Sequence, residues 1–205
     1  KILYDSLLNL KNNSFKLLNQ TESRILEAEI LSMNNRGVGL KGIVQKDFNE
    51  DSERLAYLST KFSNNVLDAT KEWSLLLTEK DEIDGLPERA IERMALLAKE
   101  EDINKNNKKS NSKDNGPWRL GLDMPSYIPF MTYSNNRSLR ERAYRAFVSR
   151  ASNGELNNQP IIIEILNIRD KQAKRLGYKN WAELSLSSKM AKSIDSVEDL
   201  LESLR

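Results

Sequence analysis

From Lys41 to about Ala69 the chain keeps one helical period. Leu55, Leu58, Phe62, Val66 and Ala69 step by three and four, so a single stripe faces a core along many turns. A strand exposes a face every second residue and cannot hold that stripe. A long amphipathic helix in mid-chain therefore sets the class: mainly α.

The flanking segments agree. Ile2 to Lys11 and Phe15 to Asn34 are expected as helices, the second with Leu18, Ile25, Leu26, Ile30 and Met33 on its inner side. Asn34-Asn35-Arg36-Gly37 ends it and Gly37 to Leu40 turns. Beyond Gly85, Leu86-Pro87 starts a helix reaching about Lys99. Further helices are expected over Asn136 to Ala151, Pro160 to Leu176, with Gly177 as a left-handed cap, and Trp181 to Leu186, capped by Asn180. Asp195 with Glu198 reads as a capping box for the last one.

Two short stretches break the pattern. Trp73 to Thr78 (WSLLLT) and Trp118 to Leu122 (WRLGL) are apolar, bounded by charge or turn residues, and opened by tryptophan. They are expected to pair as a small antiparallel element, about 73–78 with 118–122. Trp73 should begin the strand that meets Trp118. Between the strands, residues 101–117 (EDINKNNKKSNSKDNGP) hold one isoleucine among Asn, Lys, Ser and Gly, and are expected as a polar flexible surface loop.

Composition narrows function by exclusion. The 205 residues contain no histidine and no cysteine. No Ser-His-Asp triad, Cys-His dyad or histidine-bearing zinc site can be built from them. The lack of disulfides fits a reducing compartment. A balance of 32 basic against 30 acidic residues gives a net charge of +2, so neither nucleic acid nor a membrane is expected as partner. The chain opens at Lys1 and stops at Arg205 inside a helical pattern, so it is expected to be a fragment.

Candidate chemical groups are few. Glu27 with Glu29, Glu100-Glu101-Asp102, and Glu198-Asp199 with Glu202 are acidic clusters expected on solvated faces. Arg137, Arg140, Arg142, Arg145 and Arg150 crowd one segment but not one helix face, and inter-helix salt bridges are expected of them. In PSYIPFMTY, Tyr127 and Tyr133 have the chemistry to hold a peptide or an oxyanion, yet aromatics between prolines favour a locked turn and a filled core. The sequons at Asn12 and Asn19 read as coincidental, and Gly37, Gly39 and Gly42 match no phosphate-loop spacing. In FSNNVLDAT, Asn64, Asn65, Asp68 and Thr70 are expected to satisfy backbone groups where the long helix ends.

Taken in order, RILEAEI (Arg24 to Ile30), GVGL (Gly37 to Leu40), FSNNVLDAT (Phe62 to Thr70), IDGLPE (Ile83 to Glu88), the run from Leu122 to Ser152, and RLGYKNWAELSLSSKMAKS (Arg175 to Ser193) carry a resemblance. The chain resembles the thimet oligopeptidase and oligopeptidase A family of zinc metallopeptidases, the bacterial oligopeptidase A branch in particular. The resemblance implies a helical two-halved clamshell around a channel that admits short peptides. It implies zinc in the parent enzyme, held by H-E-x-x-H and a downstream glutamate, and a cytoplasmic setting. The chain itself would be one helical part, residues 1–205, of the N-terminal, non-catalytic half. It would supply scaffold and a channel wall, and its partners would be short peptides and the missing C-terminal catalytic half. No catalytic and no metal residue carries over, substrate-binding residues stay unassigned, and no cofactor is expected in this chain. The loop over 101–117 looks longer than the family's. A non-enzymatic helical peptide-binding or interaction module is the alternative.

Overall fold

A computed structural model describes residues 1–14, 17–104, 113–191 and 193–205, with backbone alone for residues 14 and 101–104. The elements run α1 (Ile2–Ser14), α2 (Gln20–Asn35), α3 (Gly42–Glu72), β1 (Ser74–Leu77), α4 (Glu88–Asn104), β2 (Trp118–Gly121), α5 (Met124–Tyr133), α6 (Arg137–Val148), α7 (Gln159–Arg175), α8 (Trp181–Leu186) and α9 (Ile194–Leu204), with short 3-10 turns at Lys80–Ile83 and Gly154–Leu156. The chain is mainly α, with one two-stranded antiparallel sheet among the described residues. No helix among them is long and apolar enough to cross a membrane. The expected loop over 101–117 falls largely outside the described residues. Of its flanks, α4 extends to Asn104 and residues 113–117 lead into β2.

Contacts divide the chain into two compact units. One comprises Lys1–Ser59 with Ile161–Arg205, the other Thr60–Pro160.

In the first unit, Leu26 and Ile30 of α2, Phe48 and Leu58 of α3, and Ile168 and Ala173 of α7 are buried. Ile25, expected inward, is exposed. α2 begins later than its apolar pattern suggests. The Asn19 side chain accepts from the Glu22 amide at 2.9 Å and Glu22 reaches back to the Asn19 amide at 2.9 Å, a reciprocal box that fixes the start at Gln20. Gln172 is buried yet satisfied, donating to Ser52 Oγ at 2.9 Å and the Phe48 carbonyl at 3.4 Å. α7 ends as its glycine predicts. Gly177 sits at φ +86°, its amide donates to the Lys174 carbonyl and the Tyr178 amide to that of Ala173. α9 does not start as expected. Its cap is Ser193, paired with Ser196, while Asp195 lies inside the first turn, because a serine hydroxyl one residue upstream of the helix already takes the free amide.

In the second unit the core forms around the sheet. Leu75 and Leu77 of β1 are buried and Leu76 between them is exposed; Trp118 and Leu120 of β2 are buried likewise. The register sets Leu75 opposite Leu120 and Leu77 opposite Trp118, so all four share one face. Met94 from α4, Phe130 from α5 and Leu139 and Ala143 from α6 close on that face. β1 does meet Trp118, but through Leu77 at its far end. Antiparallel pairing puts the two strand openings at opposite ends, so Trp73 stands before β1 and is only half-buried. The Trp118 indole, buried, donates to the Lys113 carbonyl at 3.0 Å.

Candidate functional site

α3 does not end at FSNNVLDAT; it runs through to Glu72. The backbone groups there are already paired within the helix. Asn65 is therefore free to look elsewhere. Buried, it donates through Nδ2 to Oδ1 of buried Asn158 at 2.9 Å, and Asn158 Nδ2 donates to the Phe62 carbonyl at 3.1 Å. Asn64 and Asp68 are exposed, and Thr70 Oγ1 donates back to the Val66 carbonyl at 2.7 Å.

Arg150 extends this junction. It lies beyond the end of α6 and donates to the Phe147 carbonyl at 2.8 Å and to Thr70 Oγ1 at 3.1 Å. Its guanidinium rests 3.6 Å from the Phe147 ring centre, and that ring stacks on Tyr127 at 4.1 Å with a 10° tilt. Ala151 next to it adopts φ +50°, and its carbonyl accepts from the Asn158 amide at 2.8 Å. Burial pushes the Tyr127 phenol above its ordinary range; the neighbouring Tyr144 adds to the rise and Arg150 opposes it. Tyr127 is thus a packed neutral phenol, while Tyr133 is exposed.

A comparable junction lies in the first unit. Asn35 Oδ1 accepts from the Tyr178 hydroxyl at 3.0 Å and its Nδ2 donates to Ser187 Oγ at 2.9 Å; Asn34 accepts from the Tyr4 hydroxyl at 2.6 Å. Gly37, at φ +75°, is required just beyond, because a Cβ there would lie 2.6 Å from the Phe48 ring.

The other expected groups are dispersed. Glu27 pairs with Lys11 at 3.8 Å, Glu202 with Arg205 at 3.5 Å, and Glu29, Glu198 and Asp199 are exposed. The Glu101 and Asp102 side chains lie outside the described residues. Among the described residues the arginines do not form the inter-helix ion pairs expected of them. Arg145 pairs within α6 with Glu141 at 2.7 Å, Arg140 donates to the Ser134 carbonyl, and Arg137 and Arg142 are exposed.

A cleft of about 520 Å³ opens at one end of the sheet, lined by Trp73, Leu97, Leu122, Glu100, Arg119 and Asp123 among others. That volume suits a small ligand. Asp123 is held by Arg93, 3.3 Å from both its oxygens, and by Ser126 Oγ at 2.7 Å. The walls of the cleft mix both charge signs and, among the described residues, include no histidine or cysteine. Among the described residues no group of three or more potential ligands is poised around a metal. The donor set of the described residues does not fit zinc.

The profile of Peptidase family M3 matches residues 130–205. The chain is 41% identical along its whole length to a probable cytosolic oligopeptidase A of Arabidopsis thaliana, covering 28% of that protein. It is 41% identical, again over its whole length, to an organellar oligopeptidase A, chloroplastic/mitochondrial, of the same plant, covering 25% of it. To oligopeptidase A of Haemophilus influenzae it is 37% identical, over its whole length and 29% of the relative. The chain is thus similar along its whole length to oligopeptidases A, and over residues 130–205 to peptidase family M3, while spanning about a quarter of the length of these relatives.

Proposed function

We propose that these residues form a scaffold part of a zinc-dependent oligopeptidase that hydrolyses short peptides. They belong to its N-terminal, non-catalytic half and wall part of the substrate channel. The zinc ligands and the general base lie in the other half of the same protein, which is also this part's main partner. Residues 1–205 act as a unit of that half without a catalytic or metal-binding residue of their own, and no nucleic acid or membrane takes part. A cytoplasmic setting is proposed with it.

One observation carries this. Similarity to oligopeptidase A runs through the whole chain at 41% identity while reaching only 28% of that relative. The absence of histidine fits a part whose chemistry is supplied from elsewhere.

The test is to read the gene beyond Arg205 in frame. An H-E-x-x-H motif followed by a further glutamate is expected. A frame that closes without it sinks the peptidase and favours a helical module that binds peptides without cutting them.

A further inference from the structure

Helix α7 is apolar on two sides. One side, with Ile161, Ile168 and Gln172, is buried. In the first two turns the opposite side carries Ile162, Ile163 and Leu166, exposed at 43%, 61% and 57%. At 100° per residue these three fall within one sector opposite Ile161, Ile168 and Gln172, a sector that is buried only farther along the helix, at Ala173. A surface helix needs one apolar stripe, whereas a helix apolar all round is a buried one. α9 repeats the observation in the same unit. Leu200, Leu201 and Leu204 are exposed, and no residue of that helix is buried. Two uncovered aliphatic faces on separate helices exceed the scattered apolar residues a surface normally tolerates.

We infer that the Ile162–Ile163–Leu166 face of α7 is an intramolecular interface, covered by a part of the same protein outside these 205 residues. This rests on the proposal above that the chain belongs to a longer peptidase. The occupant follows from length and chemistry. The chain covers only 25–29% of relatives that it matches from end to end, so most of the comparable protein lies outside it. The face is aliphatic throughout, with no aromatic anchor or charged centre of the kind that marks an exchangeable partner's hot spot. A permanently covered aliphatic surface resembles a domain core cut in two.

The test uses the full-length protein with single probes at Ile163→Cys and Leu166→Cys, and Lys171→Cys, on an exposed position of the same helix, as reference. These 205 residues add no competing thiol. Maleimide is expected to label the two probes at least tenfold more slowly than the reference, unchanged across a hundredfold range of protein concentration. Rates within twofold of the reference overturn the inference. Protection seen only at high concentration assigns the face to a second copy and overturns it too. Hydroxyl-radical footprinting of the unaltered protein gives the same answer without a substitution, low oxidation at Leu166 supporting it and high oxidation overturning it. Slow labelling in a protein without H-E-x-x-H would sink the peptidase and leave the interface standing. Fast labelling in an active zinc peptidase would do the reverse.

Discussion

Asn65 and Asn158, 93 residues apart, exchange a buried side-chain hydrogen bond of 2.9 Å. Each uses its amide for tertiary contact and not to cap its own helix. The pair, with Arg150 and Thr70, forms a polar junction inside the second unit.

Asn158→Ala should cost about 1–3 kcal/mol, because it strands the buried Asn65 amide. Asn64→Ala, one residue away but exposed, should stay within about 0.5 kcal/mol. Urea denaturation of the two variants checks this; equal effects would show that the junction is not a stabilising contact.

Within β1, Leu77→Ala should cost roughly 2–5 kcal/mol, since Leu77 is fully buried opposite Trp118. Leu76→Ala removes the same atoms from an exposed position and should cost far less. Thermal unfolding of both tests the register, since a slip by one residue would exchange the two outcomes.

The existence of β1 was legible in advance because its apolar run is local, whereas its alternation was not, since Leu76 is as apolar as its buried neighbours. Legible too were the cap at Asn180, the glycine at 177 and the stripe of α3, each of which needs only neighbours in sequence. The junction partners were not. Nothing within a few residues of Asn65 points to Asn158, and a buried asparagine looks in sequence like an exposed one. The strand does meet Trp118, but it starts at Ser74 and not at Trp73, because composition marks a strand without fixing its exact first residue. The cap of α9 went to Ser193 because two adjacent signals competed and the upstream hydroxyl won. For the arginines, chemistry was visible but not direction: Arg150 goes to an aromatic ring and a hydroxyl, where a carboxylate was expected.

Gly85 sits at φ +82°, and a Cβ there would lie 2.5 Å from the Tyr133 carbonyl oxygen. Gly154 has φ +62° but open space around it. Gly85→Ala should therefore destabilise by more than about 2 kcal/mol, combining strain and collision, and Gly154→Ala by about 1 kcal/mol from strain alone. Chemical denaturation that ranks them the other way would contradict the turn geometry.

Lys113 holds the Glu88 carboxyl below its usual range, chiefly by a hydrogen bond, with charge attraction second; the same bond raises Lys113. The Glu88 share of stability is present above its unfolded value and lost as pH falls through its lower folded value. The Lys113 share is present below its unfolded value and lost as pH rises through its raised folded value. Both are exposed, so the effect is small and screened by salt. Carbon-13 NMR titration of Glu88 should move upward in Lys113→Met; an unchanged titration would remove the pair.

On the function proposed above, this part serves a zinc peptidase whose chemistry lies outside it. Cleavage of a short quenched fluorogenic peptide, by the full-length protein and by residues 1–205 alone, tests it most directly. Cleavage by the full-length protein that a chelator abolishes and zinc restores is expected, and none by the 205 residues with or without zinc. Cleavage by the 205 residues that survives removal of contaminating protease, or a full-length protein indifferent to chelation, would contradict it.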